Sequence, residues 1–165
     1  MTGTPATAAS AFYSPYQHAD ELGVRVTYSA AWLRPSWTGA YSADLHEIFL
    51  RPGMSPAYER STLAHEIVHA ENRDRGGDRA AEIRADRVAA QRLIRRSTLI
   101  KLARHSTPYA TAARLVVTDH MLGLYVSRAP ALAASIAPEW LEAARDLAPT
   151  YGQRGQKLSR QDEAA

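Results

Sequence analysis

The chain has 165 residues, 45% hydrophobic and 22% charged, with a net charge of +3 and no cysteine. That length suits one domain with a sizeable core, and the missing cysteine excludes disulfide frameworks and thiolate metal sites, so any metal has to be held by His, Asp or Glu. The opening MTGTPATAAS has neither a basic nor an apolar leader, and no run reaches membrane-spanning length; a cytoplasmic protein with no membrane contact is the expectation.

Residues 1–10 are small and polar and are expected to be disordered. Pro15 suits a first helical turn and Gly23 a stop, which frames a short helix over Ser14–Leu22. The β-branched and aromatic run Val24–Tyr28 reads as a strand. A turn at Arg34-Pro35-Ser36 leads to a second strand, Gly39–Ser42, and a third, Glu47–Leu50, is ended by Arg51-Pro52-Gly53. Ser55-Pro56 opens a long helix that runs to about Asn72. The Gly-containing stretch Arg73–Asp78 reads as a loop, followed by a helix from Arg79 to Arg95. Shorter helices are expected over Thr98–Arg104 and Ala110–Val116, with a break at Pro108, then over Asp119–Ser127 and Pro138–Leu147. The expected organisation is an α+β core over residues 11–97, with a small antiparallel three-stranded sheet packed on the long helix. A helical C-terminal extension over 98–148 packs on that core, and 149–165 form a flexible tail.

The long helix carries His65-Glu66-Ile67-Val68-His69, an HExxH motif. Positions i and i+4 share a helix face, one turn apart, so both imidazoles reach one ion. Catalytic zinc sites use three such ligands and keep one position open to water. The Glu between the histidines is placed to take a proton from that water, which makes Glu66 the candidate catalytic base. The flanking Thr62, Leu63, Ala64, Ile67, Val68 and Ala70 make the helix largely apolar, and polar groups buried there need partners, which a metal would supply.

A third ligand is required, and no further His follows closely. Glu71 points to another face of its helix, and Asp74 and Asp78 sit in the glycine loop. Glu82 is better placed, in the first turn of the next helix, with Asp86 one turn on and Ala85 and Ala89 keeping that face narrow for close helix approach. Glu82 is therefore the candidate third metal ligand. Asp86 is the candidate partner for the non-ligating nitrogen of a ligand His. The competing reading makes both acids surface partners of Arg79, Arg84 or Arg87.

The pieces Leu22-Gly23-Val24, Ile48-Phe49-Leu50, Thr62-Leu63-Ala64-His65-Glu66-Ile67-Val68-His69-Ala70 and Glu82-Ile83-Arg84-Ala85-Asp86-Arg87-Val88-Ala89-Ala90 together resemble the ImmA/IrrE metallopeptidases. The resemblance implies a compact zincin-like fold, zinc on His65, His69 and Glu82, and Glu66 as general base. It also implies a role: cutting a helix-turn-helix repressor to relieve gene silencing in prophages, mobile elements or stress-response loci. This chain departs from the family after Ala90, where an apolar run is replaced by Gln91-Arg92-Leu93-Ile94-Arg95-Arg96. The alternative is a regulatory binding protein on the same scaffold, acting by contact with a repressor or with DNA.

The basic residues between Arg79 and Arg104 suit either nucleic-acid contact or the solvated faces of helices. The segment Ala112–Thr118 loosely has the style of a DNA-binding helix-turn-helix. His46 and His120 can polarise a carbonyl but read more simply as ordinary polar residues at element edges. Tyr28 and Tyr41 read first as sheet packing, and Trp32, Trp37 and Trp140 as anchors.

Overall fold

The computed structural model describes residues 12–76 and 78–148; the expectations for residues 1–10 and 149–165 fall outside them. The helix α1 (Pro15–Glu21) starts where the Ser14 hydroxyl accepts from the Gln17 N–H and Pro15 occupies the first turn. Three short strands follow: β1 (Arg25–Tyr28), β2 (Gly39–Ser42) and β3 (Glu47–Leu50). The sheet is mixed, in the order β1-β3-β2, and not antiparallel throughout as the sequence suggested. β2 and β3 form an antiparallel pair across the turn at 43–46, but β1 runs parallel to β3. A tight hairpin needs only a few residues. Residues 29–38 instead carry the chain past its own neighbour, so β3 inserts between the first two strands.

The chain then forms α2 (Pro56–Asn72), α3 (Arg79–Leu93), α4 (Arg96–Ala103), α5 (Pro108–Leu115), α6 (Asp119–Ser127), a 3-10 turn over Pro130–Ala134 and α7 (Pro138–Arg145). Pro108 starts α5 instead of breaking the chain between helices: Thr107 caps the helix through the Ala110 N–H, and the ring fits the first turn. α2 is capped by Ser55 in the same way.

α2 is the seam of the molecule. Leu63, Ile67 and Ala70 pack with Ala19, Val24, Ile48 and Leu50, beneath the sheet and α1. Ala64, on another face, joins the larger cluster built from α3, α4, α5, α6 and α7. Both faces of α2 are therefore covered, and Ser61 through Ala70 are buried apart from the half-buried His65. At the start of β2, a Cβ on Gly39 would lie 2.5 Å from Thr62 Cγ2, so glycine lets this edge strand close on α2. The helices α2 and α3 meet through alanines: Ala64, Ala85 and Ala89 are all completely buried. No helix among the described residues is long and apolar enough to cross a membrane.

Candidate metal centre

Helical geometry puts His65 and His69 on one face of α2, with their Nε2 atoms 3.0 Å apart. The Asp78 side chain caps α3 by accepting from the Ala80 N–H, which places Glu82 in the opening turn, across from the histidines. Its two carboxylate oxygens lie 3.2 Å from His65 Nε2 and 3.4 Å from His69 Nε2. Among the described residues, His65, His69 and Glu82 are the one group with metal-ligand chemistry, their donor atoms all within 4.8 Å of one another.

The other ring nitrogens explain why the Nε2 atoms face this point. His65 Nδ1 is 2.9 Å from Asp86 Oδ1, and His69 Nδ1 is 2.9 Å from Asp74 Oδ2. A carboxylate accepts, so each Nδ1 donates and each neutral ring turns its Nε2 lone pair toward the common centre. Two imidazole nitrogens and a carboxylate, with no thiolate, form a donor set that fits a divalent metal taking nitrogen and oxygen ligands.

Asp74 was set aside in the sequence reading as a loop residue. The end of α2 shows what it does. Arg73 caps the helix in the left-handed conformation (φ 51°), and the Asp74 N–H donates back to the His69 carbonyl at 3.0 Å. That reversal brings the carboxylate under His69. Arg84 then donates from one nitrogen to both Asp74 oxygens, at 2.8 and 2.7 Å. An acid just past the end of an HExxH helix was the available signal. Other sequence candidates have side-chain partners outside the His65–His69–Glu82 group. Glu71 pairs with the Arg92 fork at 2.9 and 3.0 Å, Tyr28 donates to Glu59 at 2.8 Å, and His46 Nδ1 sits 2.9 Å from the Tyr41 hydroxyl.

Glu66 points away from solvent, with 8% of its surface exposed. Burial pushes its carboxyl pKa up, against the charges of His65 and His69, and the Tyr41 backbone N–H of β2 hydrogen-bonds to it. Burial works against a charged His65, but the hydrogen bonds to Asp86 and Glu82 outweigh it and raise its pKa to about 10 in the metal-free chain. His69 is raised as well: burial is again the opposing influence, overcome by Glu82 and Glu66. The same two histidines lower Glu82 to about 2. Without metal the carboxylates thus favour a proton on His65, and a metal has to displace it to take up the Nε2 lone pair.

Among curated proteins and among solved structures, nothing matches this chain. One family does match, the IrrE N-terminal-like domain of the M78 peptidases, over residues 19–122, which takes in the sheet, α2, α3 and the helices up to the start of α6. On that match over more than half its length, with both histidines and Glu82 inside it, the chain belongs to the M78 metallopeptidase family.

Proposed function

We propose that this protein is a zinc-dependent endopeptidase that cuts a helix-turn-helix repressor, so that the genes it silences are released. The cytoplasm, where such a repressor works, is its place of action, and prophage, mobile-element or stress-response regulation its setting. The observation that carries the chemistry is the convergence of His65, His69 and Glu82 beside a buried Glu66. Nitrogen and oxygen ligands in this number suit zinc, with His65, His69 and Glu82 as ligands and Asp86 orienting His65. A bound zinc ion supplies a Lewis acid that polarises a peptide carbonyl and makes water more acidic.

The protein's own residues do the rest. Glu66 takes the proton of the attacking water and hands it to the leaving amine. Its raised pKa suits it to both halves of that task, since a strongly acidic carboxylate is a poor base. Asp86 and Asp74 hold the two imidazoles in one tautomer and orientation. β2 is an edge strand of four residues, a short rail for an extended peptide. So short a rail favours a substrate recognised over a wider surface, as a folded partner is. In this reading residues 11–97 are the catalytic core and 98–148 a helical extension packed on it.

DNA contact is the weaker reading. α5 and α6 are joined by three residues with Val116 left-handed, the outline of a helix-turn-helix. A recognition helix must offer a face to the major groove. α6 instead buries His120, Met121, Leu122, Gly123 and Val126 and starts with the acid Asp119. Much of the basic segment is also engaged within the protein: Arg84 on Asp74, Arg92 on Glu71 and Arg96 on the Ala131 carbonyl, while Arg95 stacks on Phe12.

The test is cleavage of a helix-turn-helix repressor encoded beside this chain, by the zinc-loaded protein and by Glu66→Gln. Wild-type cleavage that stops in the variant while zinc content holds is the expected result. Equal effects of the two proteins on the repressor would remove the enzyme reading.

A further inference from the structure

We propose that His120, on α6, is a positioning residue for the metal centre: it holds the far oxygen of Asp86 while Asp86 orients His65, so the C-terminal helices help to set the metal site. The inference rests on reading His65, His69 and Glu82 as metal ligands.

The two oxygens of Asp86 face two different elements. Oδ1 is 2.9 Å from His65 Nδ1 on α2, and Oδ2 is 3.6 Å from His120 Nε2 on α6, within ion-pair range. The other nitrogen of His120, Nδ1, is 2.9 Å from the Ala148 carbonyl. His120 is only 8% exposed, and an imidazole buried in an apolar cluster is costly unless its nitrogens meet partners. Both of its nitrogens face acceptors.

The fold makes this arrangement rigid at each end. α6 packs against α3 and α7 in the larger cluster, with Met121 and Leu122 beside His120 almost wholly buried. Asp86 by itself is a short side chain on α3, free to turn about its own bonds; a second partner on a separate helix removes that freedom. His65 is then aimed by a carboxylate that is itself held. The chain of contacts runs from the metal group through α3 to α6 and ends at Ala148. His69 has the corresponding arrangement in Asp74 and Arg84, built without help from the C-terminal helices.

A purely structural role gives the opposite emphasis, with His120 serving mainly to tie Ala148 to α6. The two roles use different ring nitrogens, and two amides separate them. Gln carries its NH2 at the ε position and replaces the Nε2 contact to Asp86; Asn carries it at the δ position and replaces the Nδ1 contact to Ala148. The experiment measures zinc affinity, by competition with a chelating dye, for the full chain, His120→Gln, His120→Asn, Asp86→Asn and Asp86→Asn/His120→Asn, with the melting temperature of each metal-free form. His120→Gln should stay within about threefold of wild type, and His120→Asn should bind zinc about tenfold or more weakly, the effect expected of an outer partner of a metal ligand. The His120→Asn effect should vanish once Asp86 is Asn, because it acts through that carboxylate. Asn proving the better substitute, equal affinities in all three chains, a folded Gln variant that has lost zinc, or an Asn effect that persists without Asp86 overturns the assignment. A wild-type chain that takes up no zinc is a different failure, that of the metal centre itself.

Discussion

Replacing Gly123 by alanine inverts a common rule. Alanine in a helix interior is worth up to about 1 kcal/mol over glycine. In α6, however, a Cβ at this position would lie 2.5 Å from the Ala148 nitrogen, 2.9 Å from its Cα and 3.0 Å from the Ala144 carbonyl oxygen. All three are backbone atoms, so no side chain can rotate out of the way, and the chain at the end of α7 has to move. Overpacking costs about 1–3 kcal/mol, and a clash with backbone alone puts this one in the upper part of that range, about 2–3 kcal/mol, which leaves a net loss of about 1–2 kcal/mol after a gain of about 1 kcal/mol in helix propensity. For a domain of this size that lowers the melting temperature by about 2–8 °C. Urea and thermal denaturation of the metal-free protein measure it. Displacing Ala148 also disturbs the carbonyl that His120 Nδ1 contacts but leaves the Nε2 contact to Asp86, so zinc affinity should stay within about threefold of wild type while stability falls. A Gly123→Ala protein as stable as wild type would refute the claim that α6 and the end of α7 are in contact through the missing side chain.

Three further outcomes are expected. Glu82→Ala should lower zinc affinity by about a hundredfold or more, since two ligands bind far more weakly than three, whereas Glu71→Ala should leave it unchanged because Glu71 is turned to Arg92; dye competition on both proteins checks this. Asp74→Asn should weaken zinc about 10–100-fold by freeing His69, read in the same assay, with the metal-loaded Tm falling more than the metal-free one. In chelator-treated protein, His65, raised from 6.5 to about 10, adds stability that is complete below pH 6.5 and lost as pH rises through about 10. Glu82, lowered from 4.5 to about 2, adds stability that is present above pH 4.5 and lost as pH falls through about 2. Urea unfolding across pH should therefore show a plateau between about pH 4.5 and 6.5, then an alkaline fall from pH 6.5 to about 10 that is absent from the zinc-loaded protein.

The parts of the site that a sequence can carry are those fixed by local geometry. The His65–His69 pairing follows from one helical turn, and Glu82 with Asp86 from the next helix, because a loop that ends in the capping Asp78 sets where that helix begins. The partner of His69 could not be read this way. Asp74 reaches it only because Arg73 takes a left-handed conformation that its side chain gives no reason to expect. His120 was more hidden still, since its contact to Asp86 depends on how α6 packs against α3, a matter of tertiary structure alone. The sheet was misread for a related reason: strands of four residues have too little alternation to encode register, and β1 finds β3 through a long connection, not a turn signal.

The covered faces of α2 bear on how this helix can drift over time. A substitution at Leu63 or Ile67 disturbs the sheet side, and one at Ala64 disturbs the helical side, so hardly any position from Ser61 to Ala70 changes without cost to one core or the other. Selection for folding alone would hold these apolar positions nearly fixed. Their invariance among relatives would thus report packing and say nothing of chemistry. The informative positions are the polar ones, His65, Glu66 and His69, where an apolar side chain of similar volume would serve the fold better. A descendant that had lost its activity would be recognised there first, by an HExxH turned apolar on a helix otherwise unaltered.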